Sequence, residues 1–128
     1  MSTLAKEVAD ELQNSGIKDI GIVSSYTLPS TGGIADKQNN ILVTEVTTVP
    51  NEYGSNQFTQ TDETIELNIY YGTQKTVPID TFERSIVSFF TQKNWSLLPY
   101  GGHYKDPTTK QLCIDFQFRR RKTWKFKD

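Results

Sequence analysis

One cysteine, Cys113, and one histidine, His103, are all the thiol and imidazole in the 128-residue chain. A single cysteine excludes a disulfide within the chain and a thiol-rich zinc site. A single histidine excludes a His-based metal cluster unless other chains contribute to it. Little material is left for metal, redox or cofactor chemistry, so no catalytic, cofactor-binding or metal-binding residues are expected. No run approaches the roughly 18–20 apolar residues that span a bilayer. The opening MSTLAKEVADEL is charged early and has no apolar signal-peptide core; the expectation is a protein made and used in a cytoplasm, with no membrane partner.

What is present is ordinary for a soluble globular domain: 35% hydrophobic and 23% charged residues. A chain of this length fits one domain, spanning 1–128, that buries about two-thirds of its unfolded surface. The net charge of −1 conceals a segregation: six of the 14 basic residues but only one of the 15 acidic ones lie in 119–128. That leaves +5 on a basic C-terminal arm and −6 on the body. An acidic body is poorly suited to gripping nucleic acid over its whole surface, and well suited to receiving the arm of another copy.

The periodicities alternate between helix and strand. Leu4, Val8 and Leu12, flanked by Ala5 and Ala9, form one stripe of a short helix, with Gly16 as its expected left-handed cap. A strand follows with Ile20 and Ile22 on one face, then a Pro- and Gly-containing loop, then the β-branched strand NILVTEVTTVP. The polar segment 51–63 offers only Tyr53 and Phe58 for burial and reads as a long loop or a hairpin extending its flanking strands. In TIELNIYYG, Ile65, Leu67, Ile69 and Tyr71 face one way with period two. Asp80 as N-cap and Glu83 three residues later form a capping-box pattern ahead of Phe82, Ile86, Phe89 and Phe90, the apolar stripe of a second helix. The chain closes as strand, turn and strand, with Leu112, Ile114, Phe116 and Phe118 alternating with Gln111, Cys113, Asp115 and Gln117. The expected fold is α+β: an antiparallel sheet of about four to five strands with two helices on one face, in the order α-β-β-β-α-β-β.

Several short motifs are explained by position alone. LPSTG at 28–32 matches the pentapeptide that sortases cleave, but no apolar stretch and basic stop follow it at the C-terminus, so it reads as a loop. GTQKT at 72–76 lacks the upstream glycine of a phosphate-binding loop and reads as a turn after a strand. His103, near Asp106, has no converging nucleophile at any suitable spacing, and Cys113 has no basic neighbour in sequence to activate it. The acidic run Asp62, Glu63 and Glu66 reads as a solvated approach to a strand, or as a hard-cation site, or as a surface where negative charge has a task.

The C-terminal arm admits three readings. Trp124 and Phe126 share parity with Lys122, while Arg121, Thr123, Lys125 and Lys127 face the other way. That pattern favours docking on protein, aromatics into an apolar groove and basic residues toward an acidic rim. The alternatives are a solvated terminus and a nucleic-acid site. The interface residues expected on this reading are Arg119, Arg120, Arg121, Lys122, Trp124 and Phe126, with Tyr53 and Phe58 from the long segment.

The leading helix, the strands NILVTEV and ETIELNIYYG around a polar insertion, the helix FERSIVSFF and the closing HYKDPTTKQLCIDFQFRRR together resemble the tail-terminator, or tail-completion, proteins of long-tailed bacteriophages, in particular those of Gram-positive hosts. The resemblance covers nearly the whole chain. It implies a structural virion protein at the head-proximal end of the tail, assembled in the host cytoplasm into a hexameric ring. Such a ring caps the tube of the major tail protein, ends its polymerisation and joins it to the head–tail connector. DNA passes through the lumen without specific binding, and nothing is catalysed. On this expectation Asp62, Glu63 and Glu66 face the lumen and repel phosphates. Another head–tail joining or minor tail protein is the nearest alternative, and a small nucleic-acid-binding module is the rival from another class.

Overall fold

Helix α1 (Leu4–Gln13) starts where Thr3 caps it, the hydroxyl accepting from the Lys6 N–H at 3.3 Å. A second orphan donor, the Ala5 N–H, reaches Glu45 Oε2 on a sheet strand at 3.1 Å. Ala5, Val8, Ala9 and Leu12 are buried, as the stripe predicts. The helix is capped by Asn14, not Gly16, which takes the left-handed conformation (φ 79°) two residues later.

This computed structural model describes residues 3–27, 38–50, 53–54, 57–58, 60–73, 76–108 and 110–123. Only the backbone is described at 47–50, 53–54, 57–58, 60–61 and 122–123. The 28–32 motif and the expected interface residues Trp124 and Phe126 lie outside the described residues, as do the side chains of Tyr53, Phe58 and Lys122.

The strands are β1 (Ile20–Ser25), β2 (Asn39–Pro50), β3 (Tyr53–Gly54), β4 (Gln57–Phe58), β5 (Gln60–Tyr70), β6 (Ser96–Leu97), β7 (Tyr104–Lys105) and β8 (Leu112–Thr123), with α2 (Ile79–Thr91) between β5 and β6. The class is α+β with two helices. The main sheet has six strands, ordered β1-β2-β5-β8-β6 with β7 also on β8, while β3 and β4 pair separately. Two features depart from the sequence reading. The sheet is mixed, because β1 runs parallel to β2; the connection between them has the dozen or so residues that a parallel pair needs. The strand expected before β8 is broken into β6 and β7, because Pro99, Gly101 and Gly102 interrupt the ladder between them.

Three matched rows build the core across β2, β5 and β8: Ile41, Ile69 and Ile114; Val43, Leu67 and Phe116; and Ile65 with Phe118. Over them lie Phe82, Ile86 and Phe90 of α2, with Phe90 stacked on Phe118 at 4.5 Å. On β1 a register shift between Ile20 and Val23 turns Ile20 and Val23 toward the core, in place of the expected Ile20 and Ile22. Gly21 sits in this irregular stretch, where a Cβ would meet Asn40 Oδ1 at 2.5 Å and the Asn39 carbonyl at 3.1 Å. The far edge of β1 is occupied by Gln13, whose amide donates to Gly21 O (2.7 Å) and accepts from the Val23 N–H (2.8 Å). A plugged edge resists pairing with a foreign strand.

The capping box at the start of α2 does not form. Pro78 is the N-cap, Asp80 falls inside the first turn and accepts from the Thr81 N–H, and Glu83 is drawn to the Tyr71 hydroxyl instead. The turn into α2 is held from elsewhere. Asp19, at a left-handed φ of 70°, accepts from the Thr76 N–H (2.8 Å), the Thr76 hydroxyl (2.6 Å) and the Val77 N–H (2.9 Å). Its own carbonyl accepts from Asn39 N–H at 3.1 Å, so one residue ties the α1–β1 loop, β2 and the α2 entrance together.

Burial raises the Asp19 pKa, but these hydrogen bonds and nearby Lys18 outweigh it and hold the carboxyl below its ordinary value. A depressed folded value means that the stabilisation is present above the ordinary carboxylate range and is lost as pH falls through the folded value. Asp19→Asn tolerates the left-handed backbone but removes the charge, and is expected to cost about 1 kcal/mol, the difference between charged and neutral hydrogen bonds. Urea unfolding at neutral pH measures that gap, and the gap should close as pH drops below about 4. A gap that persists unchanged into acid would assign the effect to something other than the carboxylate.

Candidate functional site

Strand β8 does not leave the sheet where its charges begin. It continues to Thr123, paired with β5 as Thr64↔Arg119, Glu63↔Arg120, Asp62↔Arg121 and Thr61↔Lys122. The basic end of the strand therefore lies against the acidic run of the same chain. Arg120 Nη2 is 3.1 Å from Glu63 Oε1, with its guanidinium 4.2 Å from the centre of the Trp95 ring. Arg121 Nε is 3.3 Å from Asp62 Oδ1. The two pairs differ in setting: the Glu63 side chain is 10% exposed, whereas that of Arg121 is 61% exposed. Arg120 is thus part of the fold, closing the core beside Trp95, while Arg119 and Arg121 stay exposed.

Strand alternation also divides the acidic trio. Glu63 shares parity with the core residue Ile65 and lies on the helix side. Asp62 and Glu66 lie on the opposite face, which no described helix covers. There Glu66 accepts from Gln117 (3.0 Å) and Asn68 (3.2 Å), and Asp115 accepts from Asn68 (2.6 Å) and the Tyr104 hydroxyl (2.8 Å). Burial and the bond to Asp115 push the Tyr104 hydroxyl well above the usual phenol range. The result is a partly buried ladder of acids and amides satisfied by one another.

His103 meets Glu83 of α2, not Asp106: its Nε2 lies 2.7 Å from Glu83 Oε2. The same carboxylate oxygen accepts from Tyr71, whose hydroxyl is pushed far up by burial and by that bond. The cluster clasps the segment before β7 onto α2. Cys113, expected on a polar face, has the expected parity but is fully buried. Burial, with Asp106 and Asp115 nearby, pushes its thiol up to about 11, so it is a poor nucleophile. Among the described residues no group of three or more His, Cys, Asp or Glu is placed to hold a metal, and no helix is long and apolar enough to cross a membrane.

Sequence reasoning missed one surface feature on the helix side. A groove of about 480 Å³ lies between α2 and the segment after β6, with Val87, Leu97, Tyr100 and Phe116 as its apolar lining and Asp80 and Glu83 as its acidic part. Tyr100 is 53% exposed yet stands edge-on to the buried Phe116 at 4.8 Å. Val87 is off the aromatic stripe of α2, and Tyr100 sits in an irregular stretch, so period counting singled out neither. The exposed tyrosine between Pro99 and two glycines was the available signal.

Arg120→Ala is expected to destabilise the fold by about 1–3 kcal/mol, because it strands the nearly buried Glu63 and uncovers Trp95. Arg121→Ala breaks only an exposed pair and should cost under about 1 kcal/mol. Denaturant unfolding of the two variants side by side checks the contrast. Equal losses would mean that Arg120 has no special structural place.

No curated protein matches the chain. A family model does, over residues 4–123, from the first residue of α1 to the last of β8. The chain belongs to that family, which is described as a protein of unknown function, DUF806.

Proposed function

We propose that the protein is a structural component of a long-tailed phage, a tail terminator whose copies form a ring. In this reading the ring, hexameric, caps the tail tube, ends its polymerisation and connects it to the head-side connector. The observation that carries the reading is the open sheet face. In the middle of that face Glu66, Asn68, Asp115 and Gln117 satisfy one another, so this stretch carries acids that repel a phosphate, while the exposed Arg119 and Arg121 sit at its end beside Asp62. Such a face suits the wall of a channel through which DNA slides. Asp62 and Glu66 are its lumen acids on this proposal, and Glu63, turned to the other side, is not. Another head–tail joining protein satisfies the same observation.

The rival reading, a nucleic-acid module, draws on Arg119, Arg120 and Arg121, which border one groove of about 490 Å³. Asp62 lines that groove too, and Asp62 and Glu63 already engage two of the three guanidiniums. A site with its cations pre-paired binds phosphate weakly.

Mass measurement in solution and electron microscopy after adding tail tubes test the ring. The expected outcome is closed rings, free or at tube ends, and tubes that stop growing when capped. Chains that stay monomeric at high concentration and leave tube growth unchanged would sink the proposal. DNA affinity is expected to be weak at 50 mM salt and insensitive to Arg119→Gln with Arg121→Gln. Strong binding that falls by orders of magnitude toward 200 mM, and with those substitutions, would favour the nucleic-acid reading. Asp62→Asn with Glu66→Gln should slow DNA ejection from assembled particles.

A further inference from the structure

The groove beside α2 has an apolar lining, and the chain's last residues carry rings that such a lining fits. Val87, Leu97, Tyr100 and Phe116 supply the lining; of the two acids on the groove, Asp80 has Arg84 at 4.0 Å and Glu83 already holds Tyr71 and His103, so the match rests first on the apolar surface and only second on the exposed Asp80. In the residues after β8, Trp124 and Phe126 alternate with Lys125 and Lys127. In extended form that stretch presents two rings to one side and two ammonium groups to the other. We infer that the groove is the docking site for residues 124–128 of a second copy of the chain.

Chain length keeps the chain's own arm from the Tyr100–Phe116 end of the groove. Phe116 lies seven residues before Thr123 on one strand, which places the groove about 24 Å back from the strand's end. The nearest lining residue, Leu97, pairs with Phe118, still about 17 Å back. Phe126 is three residues past Thr123, a reach of at most about 11 Å, and Trp124 is one residue past it. Neither ring reaches its own Tyr100–Phe116 pair. Each copy therefore carries one arm and one groove, two different patches on one subunit. That contact is heterologous, and repeating it builds a ring when the rotation closes. The inference deepens the ring reading by naming the surfaces that meet, and rests on it only for closure. The pairwise contact stands on the groove and the arm alone.

The test uses full-length chains. Thr91→Cys protein, the cysteine at the groove's edge, is mixed with Lys125→Cys protein under oxidising conditions, and a mixture of Lys6→Cys with Lys125→Cys serves as control, Lys6 being on the exposed side of α1. The native Cys113 stays silent because it is buried. The expected result is a cross-linked dimer of one Thr91→Cys and one Lys125→Cys chain, well ahead of the control and of either homodimer. In parallel, Trp124→Ala with Phe126→Ala, and separately Tyr100→Ala, should weaken self-association at least about tenfold, the loss expected of an aromatic anchor, with unchanged circular dichroism. If wild-type chains associate but the groove cross-links no faster than the control, the docking site is overturned and the ring stands. If the groove cross-links form yet no closed ring appears in solution or on tubes, the docking site is supported and the ring fails. Groove substitutions that abolish tube binding while leaving self-association intact would assign the groove to the tube protein and overturn the inference.

Discussion

Phe90 and Phe118 lie with ring centroids 4.5 Å apart and planes 22° from parallel, and each ring has further aromatic neighbours, Trp95 and Phe89 on one side and Phe116 on the other. Large buried rings contribute both area and orientation, so this stack fixes α2 against β8 in angle as well as position. Much else is placed by it. Trp95, four residues past the end of α2, is set under Arg120; Val87, Tyr100 and Phe116 are brought to one groove; Glu83 is brought to Tyr71 and His103. The clasp, the groove and the closed end of the core are consequences of one helix–strand contact.

The sheet then sorts the charges. Because side chains alternate, consecutive basic residues on β8 cannot share a role: Arg120 falls on the helix side with Glu63, and Arg119 and Arg121 fall on the open side with Asp62 and Glu66. A nearly buried Glu63 has to keep its partner, since an uncompensated buried carboxylate costs more than an exposed one. The segregation of charge visible in the sequence is therefore partly spent inside the subunit. What remains for contact between molecules is Arg119, the outer side of Arg121, and the residues beyond Thr123.

The regular elements were legible wherever one period dominated. Ile65 to Tyr71, Ile114 to Phe118, and most of the stripes of α1 and α2 bury the faces that their spacing predicts, with Leu4, Phe89 and Leu112 partly buried and Cys113 buried on the face expected to be polar. The misreadings fall where a distant partner decides. Glu83 obeys the local capping-box pattern, yet a tyrosine hydroxyl twelve residues earlier claims it. Ile22 loses its core place to Val23 because a register shift on β1 reverses the alternation, and the close approach at Gly21 goes with it. The parallel pairing of β1 with β2 has no local signature at all. The acidic body and the basic end read as complementary between copies, whereas Asp62 and Glu63 meet Arg121 and Arg120 within one chain; a linear sequence does not state whether complementary segments meet within one chain or between two.

That distinction orders the construction of any assembly. Contacts consumed in folding cannot also drive association without unfolding the subunit, so Arg120 and Glu63 are poor material for an interface despite their charges. The α2 groove is different: its lining is already supported from beneath by Phe116, and its exposed ring, Tyr100, stands ready without rearrangement. A surface held rigid before binding loses little conformational freedom on binding. On the docking proposed for residues 124–128, association would use a surface that folding leaves in place, and would leave the Arg120–Glu63 pair undisturbed.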